Sequence, residues 1–222
     1  MKKYAGCLLI VLFARVDVSH AQLNVKIHPA LAFPGLTVSS SGILEAGVEY
    51  PLAERFTINQ DFGYVFFYKG LRNTLVSVPV TGISGLRSET ELRYYWADGR
   101  FYVCPHVLLQ ETNASRSHMV PTDGEPGVLR NEYSVKRKEI AFHIKLGSQS
   151  VSYAGLVFDF SAGAGMRYVS SSSSGKMAGY ASDKEDYEFP YHKLYDDGSG
   201  LFPSISGSLR VGWSFGKPGK RR

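Results

Sequence analysis

Counting every second residue splits the end of the chain into two sets. Ile205, Gly207, Leu209, Val211, Trp213 and Phe215 are mostly apolar and become aromatic; Ser206, Ser208, Arg210, Gly212, Ser214 and Gly216 are small, polar or charged. Successive side chains of a strand point to opposite faces, so a period of two predicts a strand with one apolar and one polar face. The contrast recurs in Leu156–Tyr168, where Leu156, Phe158, Phe160, Ala162, Ala164, Met166 and Tyr168 alternate with residues such as Asp159, Ser161, Gly163, Gly165 and Arg167. It recurs again in Leu86–Trp96, where Leu86, Leu92, Tyr94 and Trp96 alternate with Arg87, Glu89, Glu91 and Arg93.

Five weaker segments carry the same period: Leu23–Phe33, Leu44–Leu52, Phe56–Phe66, Phe101–Leu109 and Ile140–Leu146. Eight strands are therefore expected. Short links follow the even strands, at Ala53–Arg55, Ala97–Arg100 and about Ser148–Tyr153. Longer links follow the odd ones, at Pro34–Ser41, about Phe67–Gly85, about Gln110–Arg137 and about Val169–Pro203. Antiparallel neighbours would place all short turns at one end and all long loops at the other. That layout, an even strand count and strands of roughly ten residues are those of bacterial outer-membrane barrels. The expected fold is all-β, an eight-stranded antiparallel up-and-down transmembrane β-barrel. Pro29, Pro51 and Pro105 lie in or beside these strands and cannot donate to a ladder. Pro51 can open a turn, and Pro29 and Pro105 are expected to mark bulges or strand ends.

Alternation alone does not say which face meets water, because a secreted lipocalin-like barrel would turn its apolar rows inward. Three features favour apolar rows outward. The polar face mixes charge with small residues such as Ser161, Gly163, Gly165, Ser206, Ser208 and Gly212, which suit the narrow interior of an eight-stranded barrel. Large aromatics, among them Tyr50, Tyr64, Tyr94, Trp96, Phe101, Tyr168, Trp213 and Phe215, gather near strand ends, as interfacial girdles do. The polar-face charges also match: Lys26, Arg87, Arg93, Arg137, Lys145, Arg167 and Arg210 against Glu45, Glu49, Asp61, Glu89, Glu91, Glu139 and Asp159. A Lys or Arg at a lipid midplane costs about 2–4 kcal/mol, so several would outweigh a net stability of about 5–15 kcal/mol. The apolar rows carry no Asp, Glu, Lys or Arg within these limits, so once a membrane is assumed they must be its lipid side.

Residues 1–21 are expected to be a secretory signal peptide and residues 22–222 the barrel with long outer loops and a short basic tail. Lys2 and Lys3 precede an apolar run from Ala5 to Ala14, and Ser19-His20-Ala21 is a small-x-small cleavage pattern before Gln22. That run is too short to span a bilayer as a helix, and no later stretch approaches the length required. Without the leader only Cys104 remains, so no internal disulfide can form, and support must come from a large core or a closed sheet. Loss of Lys2, Lys3, Arg15 and Asp17 lowers the formal charge from +5 to +3, and four of the remaining positive charges sit in the tail Lys217–Arg222. The basic balance thus gives no argument for nucleic acid, and a signal peptide argues against it.

The parity places His28, His106 and His143 inward without fixing which of them meet, so the expectation is satisfied interior histidines, with no metal, cofactor-binding or catalytic residues assigned. The balanced interior is expected to be a plug of ion pairs rather than a gated path. The last loop begins with Ser170–Ser174 and continues through Asp183–Asp197, mixing Tyr, Phe and acids in a manner suited to protein or glycan contact. Asp196-Asp-Gly-Ser-Gly200 lacks the spaced ligands of a calcium loop, and Asn113-Ala-Ser115 is a sequon of little meaning in a bacterium. A lipid A-modifying outer-membrane enzyme would need a nucleophile, base and orienting acid together; His192, Asp196 and Ser199, or the pair Ser117-His118, supply the residue types but no motif. The expectation is no enzyme.

The segments VKIHPALAF, LEAGVEYPLAERFTI, SETELRYYWADGRFYVCPHVLL, GLVFDFSAGAGMRYV and SLRVGWSFG together resemble the small outer-membrane β-barrel proteins of Bacteroidota-type Gram-negative bacteria, many of them uncharacterised and similar in architecture to the barrel of outer-membrane protein A. The resemblance covers nearly the whole chain after the leader. It implies an outer-membrane location, contact with outer-membrane lipid and lipopolysaccharide, and insertion by the barrel-assembly machinery. It implies no established activity. Two departures stand out: Phe215 is followed by Gly-Lys-Pro-Gly-Lys-Arg-Arg222 instead of ending the chain, and no peptidoglycan-binding domain follows. The function expected is that of an integral outer-membrane barrel, structural or contact-making through its extracellular loops. The alternatives are the secreted carrier of apolar ligands and the lipid A enzyme.

Overall fold

The computed structural model describes residues 23–29, 41–67, 80–96, 99–121, 128–175 and 197–215. Every described element is a strand: β1 (Leu23–Ile27), β2 (Ser41–Pro51), β3 (Phe56–Phe67), β4 (Val80–Trp96), β5 (Phe101–Pro121), β6 (Val128–Val151), β7 (Leu156–Ser174) and β8 (Gly198–Phe215). Each pairs antiparallel with the next, and β1 pairs with β8, from Leu23↔Phe215 to Ile27↔Val211, which closes the sheet into a barrel. Closure gives every strand two neighbours, although five-residue β1 pairs only the lower parts of β2 and β8. Residues 1–21, expected to be a signal peptide, the basic tail and most of the last loop, His192 and Asp196 included, lie outside the described residues.

The links at 52–55, 97–100 and 152–155 gather at one end, as the alternation predicts. In the third, the Ser152 amide donates to the Leu156 carbonyl at 2.8 Å, the Leu156 amide donates to Ser152 Oγ at 3.0 Å, and Gly155 takes the left-handed φ of +89° that closes the turn.

Strand lengths depart from expectation. β1 stops at Ile27, short of Phe33. The segments Gln110–Arg137 and Val169–Pro203, expected as loops, contain ladder: β5 runs on to Pro121, β6 begins at Val128, β7 reaches Ser174 and β8 starts at Gly198. The Ser170–Ser174 run is therefore paired strand, and Ser199 pairs with Ser170. Pro51 ends β2. Pro105 makes no bulge, contrary to expectation. The β4–β5 register is the same on both sides of it, at Glu91↔His106 and Tyr94↔Val103, and Pro105 still sits opposite Ile144 of β6. The missing proton thus costs local pairing with β4 without shifting the strands.

Over the half of the wall nearest the short turns, the partition is apolar outward and polar inward. Phe56, Phe62, Leu92, Phe101, Leu109, Phe142, Leu146, Phe160, Ile205 and Trp213 are exposed on the outside. Asn24, Lys26, Glu49, Asn59, Asp61, Glu91, Arg93, His106, Lys145, Asp159 and Arg210 are buried inside. Gln60, Ser88 and Thr90 interrupt the outward rows of β3 and β4 and satisfy one another: Gln60 Nε2 donates to Ser88 Oγ at 2.9 Å, and Thr90 Oγ1 donates to Gln60 Oε1 at 2.7 Å.

Higher on the wall the outward face changes character along one register line. Leu109, Ile140, Tyr168 and Leu201 are consecutive partners across β5 to β8, and two residues further from the short turns the partners are Glu111, Lys138, Ser170 and Ser199. Above that line β6 exposes Glu132, Ser134, Lys136 and Lys138 outward while Tyr133 and Val135 are buried inward.

The inward glycines of β7 do more than save room for interior side chains. A Cβ at Gly165 would lie 1.9 Å from the Phe142 carbonyl oxygen, and one at Gly163 would lie 2.2 Å from that of Ile144. The neighbouring backbone of β6 occupies that space, so these glycines let β6 and β7 coil closely.

Candidate functional site: the ionic interior

The interior is built in three tiers, each assembled by the alternation that sends every second residue of adjacent strands into one narrow space. Nearest the short turns, Lys26 of β1 donates to Glu49 Oε2 at 2.5 Å, to Gln149 Oε1 at 2.9 Å and to Asp159 Oδ2 at 2.8 Å. Arg93 Nη1 reaches the same Asp159 oxygen at 2.7 Å, and the guanidinium lies 4.4 Å from the centre of the Tyr102 ring. Tyr102 and Tyr95 donate to Asp159 Oδ1 at 2.6 Å and to Glu49 Oε1 at 2.8 Å. Tyr95, Tyr102 and Cys104 form a small buried cluster, and the Cys104 thiol is free.

The middle tier centres on Arg210, which is fully buried. Its Nη2 donates to Asp61 Oδ2 at 2.7 Å and to Glu91 Oε1 at 2.9 Å, and lies 3.3 Å from Glu89 Oε2. Lys145 Nζ joins Glu91 Oε1 at 3.0 Å, and Arg93 closes on the other oxygen of Glu91. Removing an ion from water costs several kcal/mol even after relaxation, and such a group persists only when ion pairs and hydrogen bonds offset that cost. Glu91 meets three cations, which is how a fully buried carboxylate is held here.

The upper tier holds the histidines. Arg87 Nε lies 3.1 Å from Glu45 Oε2, and its Nη2 is also joined to Glu89 Oε1. His28 Nε2 lies 3.2 Å from Glu45 Oε1, and His106 Nε2 lies 3.2 Å from Glu89 Oε2. His106 and His143 face each other across β5 and β6 with their Nδ1 atoms 3.1 Å apart, so one ring must donate and the other accept. His143 Nε2 then meets Ser204 Oγ at 2.9 Å. At the mouth, Arg167 donates to Glu139 at 3.0 Å.

All three histidines point inward, as the sequence parity requires, and the register supplies the pairing that the sequence leaves open. Two groups present metal-binding atoms within 4.8 Å of one another: His28 with Glu45, Asp61 and Glu89, and Glu89 with Glu91 and His106. Sequence reasoning assigned no such group, because its members come from strands whose relative height no single strand encodes. A catalytic set does not assemble among the described residues. Ser199 is an exposed strand residue, and Ser117 and His118 are ladder partners of Glu132 and Asn131 in the β5–β6 hairpin. No protein-family model matches this chain, and neither a curated protein nor a solved structure matches it.

Proposed function

We propose that this chain is an integral outer-membrane β-barrel whose interior is plugged by ion pairs and whose outer loops make contact with protein or glycan, a structural or adhesive role rather than a catalytic one. The observation that carries this reading is the partition of the wall: apolar and aromatic side chains ring the outside, while six carboxylates and their cations are enclosed within. In water such a surface would be an extreme apolar patch, far above the few hundred Å² that soluble monomers expose. In hydrocarbon it is the favourable side, and the ladder between neighbouring strands satisfies most backbone groups there without water.

The dimensions agree. Phe56 to Tyr64 of β3 is nine residues of outward row, close to the roughly 9–11 that a tilted strand needs to cross a bilayer. Trp96, Phe101, Trp213 and Phe215 sit outward near the short turns, at the level expected for one interfacial girdle. The polar trio Gln60, Ser88 and Thr90 is compatible with lipid because its members are uncharged and bonded to each other. The soluble-carrier alternative needs the leucine and phenylalanine rows inward, the reverse of the arrangement described above.

The test is fractionation of the native host followed by gel migration. The proposal expects the chain to stay with membranes through alkaline carbonate extraction and to migrate faster unheated than boiled in SDS. Recovery in the soluble periplasmic or secreted fraction would end it. Lipid A profiles that change when the gene is deleted would favour the enzymatic alternative instead.

A further inference from the structure

We infer that the inward cluster of His28, Glu45, Asp61 and Glu89 is a binding site for a divalent first-row transition cation of the zinc or manganese class. The inference stands on the barrel interior alone and does not depend on where the barrel resides.

His28, just past the end of β1, and Glu45, Asp61 and Glu89 of β2, β3 and β4 come together here, and each offers one ligand atom within 4.8 Å of all the others. The cluster is more than a gathering of acids. His28 is 97% removed from solvent on the residue scale, at 3% exposure, yet neither of its ring nitrogens has a hydrogen-bond partner. Nε2 stands 3.2 Å from Glu45 Oε1 without hydrogen-bond geometry. A buried imidazole left in that condition bears its desolvation without recompense, whereas a cation would use its lone pair.

Glu45 and Asp61 divide their oxygens in a way that suits a shared cation. Arg87 engages Glu45 Oε2, leaving Oε1 turned toward His28. Arg210 engages Asp61 Oδ2, leaving Oδ1 buried with no hydrogen-bond partner. Gly47 of β2 makes room for that oxygen itself, since a Cβ there would fall 1.5 Å from Asp61 Oδ1. Arg87 and Arg210 can thus keep Glu45 Oε2 and Asp61 Oδ2 while Glu45 Oε1 serves a metal, and Glu89, held by Arg87 on one oxygen and 3.3 Å from Arg210 on the other, would share Oε2 with it. On the far side, Glu89 Oε2 lies 3.2 Å from His106 Nε2, a carboxylate–histidine contact of the kind that orients metal ligands from behind.

The donor set selects the class of ion. One imidazole nitrogen among carboxylate oxygens suits zinc, manganese or ferrous iron; calcium and magnesium prefer all-oxygen shells, and no thiolate is present to select cuprous copper.

The experiment is titration of Zn²⁺ and Mn²⁺ onto the full-length purified barrel after chelator treatment, read by calorimetry and by metal analysis of the gel-filtered protein. The expected result is about one equivalent retained per chain, with affinity reduced at least ~10-fold in His28→Gln and in Glu45→Gln. His118→Gln and His192→Gln, substitutions at histidines that are not among the four proposed ligands, should bind as the parent does. For the case in which the interior variants do not fold, the pulsed EPR spectrum of Mn²⁺ on the unaltered protein must show coupling to an imidazole nitrogen. Absence of retained metal, a manganese spectrum without nitrogen coupling, or loss of binding in the His118 or His192 variants instead would overturn the inference.

Discussion

Two stretches of one strand differ in a way that explains much of this molecule. Between Ile140 and Leu146, β6 turns Ile140, Phe142, Ile144 and Leu146 outward and His143 and Lys145 inward. Between Asn131 and Lys138 it turns Glu132, Ser134, Lys136 and Lys138 outward and Tyr133 and Val135 inward. The ladder to β5 is continuous through both, from Val128↔Pro121 to Ser148↔Phe101. Backbone pairing is therefore indifferent to the change, and only the side chains register it. What differs is the medium that each outward row suits: hydrocarbon for the lower stretch under the proposed function, water for the upper. The interior changes as well: His143 and Lys145 are enclosed where the outer row is apolar, and Tyr133 and Val135, beside Asn131, where it is charged.

The largest effect should come from breaking the enclosed network. Arg210→Ala leaves Asp61, Glu89 and Glu91 buried around a lost cation, and removal of one partner of such a network costs about 3–5 kcal/mol. Urea unfolding in detergent micelles would measure it; a loss below ~1 kcal/mol would mean that the interior is wetter than the geometry implies.

The next effect separates the two stretches directly. Phe142→Arg puts a charge on the lower outward row and should destabilise the bilayer-embedded barrel by about 2–4 kcal/mol. Ser134→Arg, outward on the upper stretch, should stay within about 0.5 kcal/mol of the parent. Equal effects of the two in reconstituted vesicles would erase the distinction between the stretches.

A smaller change tests the close approach of β6 and β7. Gly165→Val introduces atoms where the Phe142 carbonyl oxygen already stands 1.9 Å from the Cβ position, and overpacking of this kind costs about 1–3 kcal/mol. Gly82, whose Cβ would meet nothing within 4 Å, is the control, and Gly82→Ala should have little effect by the same unfolding assay. Smallest of all is the exposed pair of Lys136 and Glu111 on the upper stretch, 2.6 Å apart and each nearly half exposed. Lys136→Ala should change stability by no more than about 1 kcal/mol, and less as salt is raised.

The lower wall was legible in the sequence because both faces signal there: alternation at Leu86–Trp96, Leu156–Tyr168 and Ile205–Phe215 marks strand, face and parity together. The upper wall was not. From Glu111 to Ser115 and from Glu132 to Lys136 the outward residues turn polar, so the apolar period fades while the ladder continues, and the stretch reads as loop. The inward aim of His28, His106 and His143 followed from parity alone. Their partners did not, since the meeting of His106 with His143, or of His28 with Glu45, depends on how far one strand slides along the next. Pro105 misleads for a related reason. Its local chemistry predicts a bulge, but the ladder on its other side, opposite Ile144, holds the register.

The most direct measurement uses the two tryptophans of the chain, Trp96 and Trp213, both outward near the short turns. The protein is reconstituted into vesicles whose acyl chains carry bromine at a chosen depth, and tryptophan fluorescence is recorded. A hydrocarbon-facing exterior with these rings at one interface predicts strong quenching, greater for bromine near the headgroups than near the chain ends. Emission unchanged by either lipid, from a protein that stays in the aqueous phase, would contradict it.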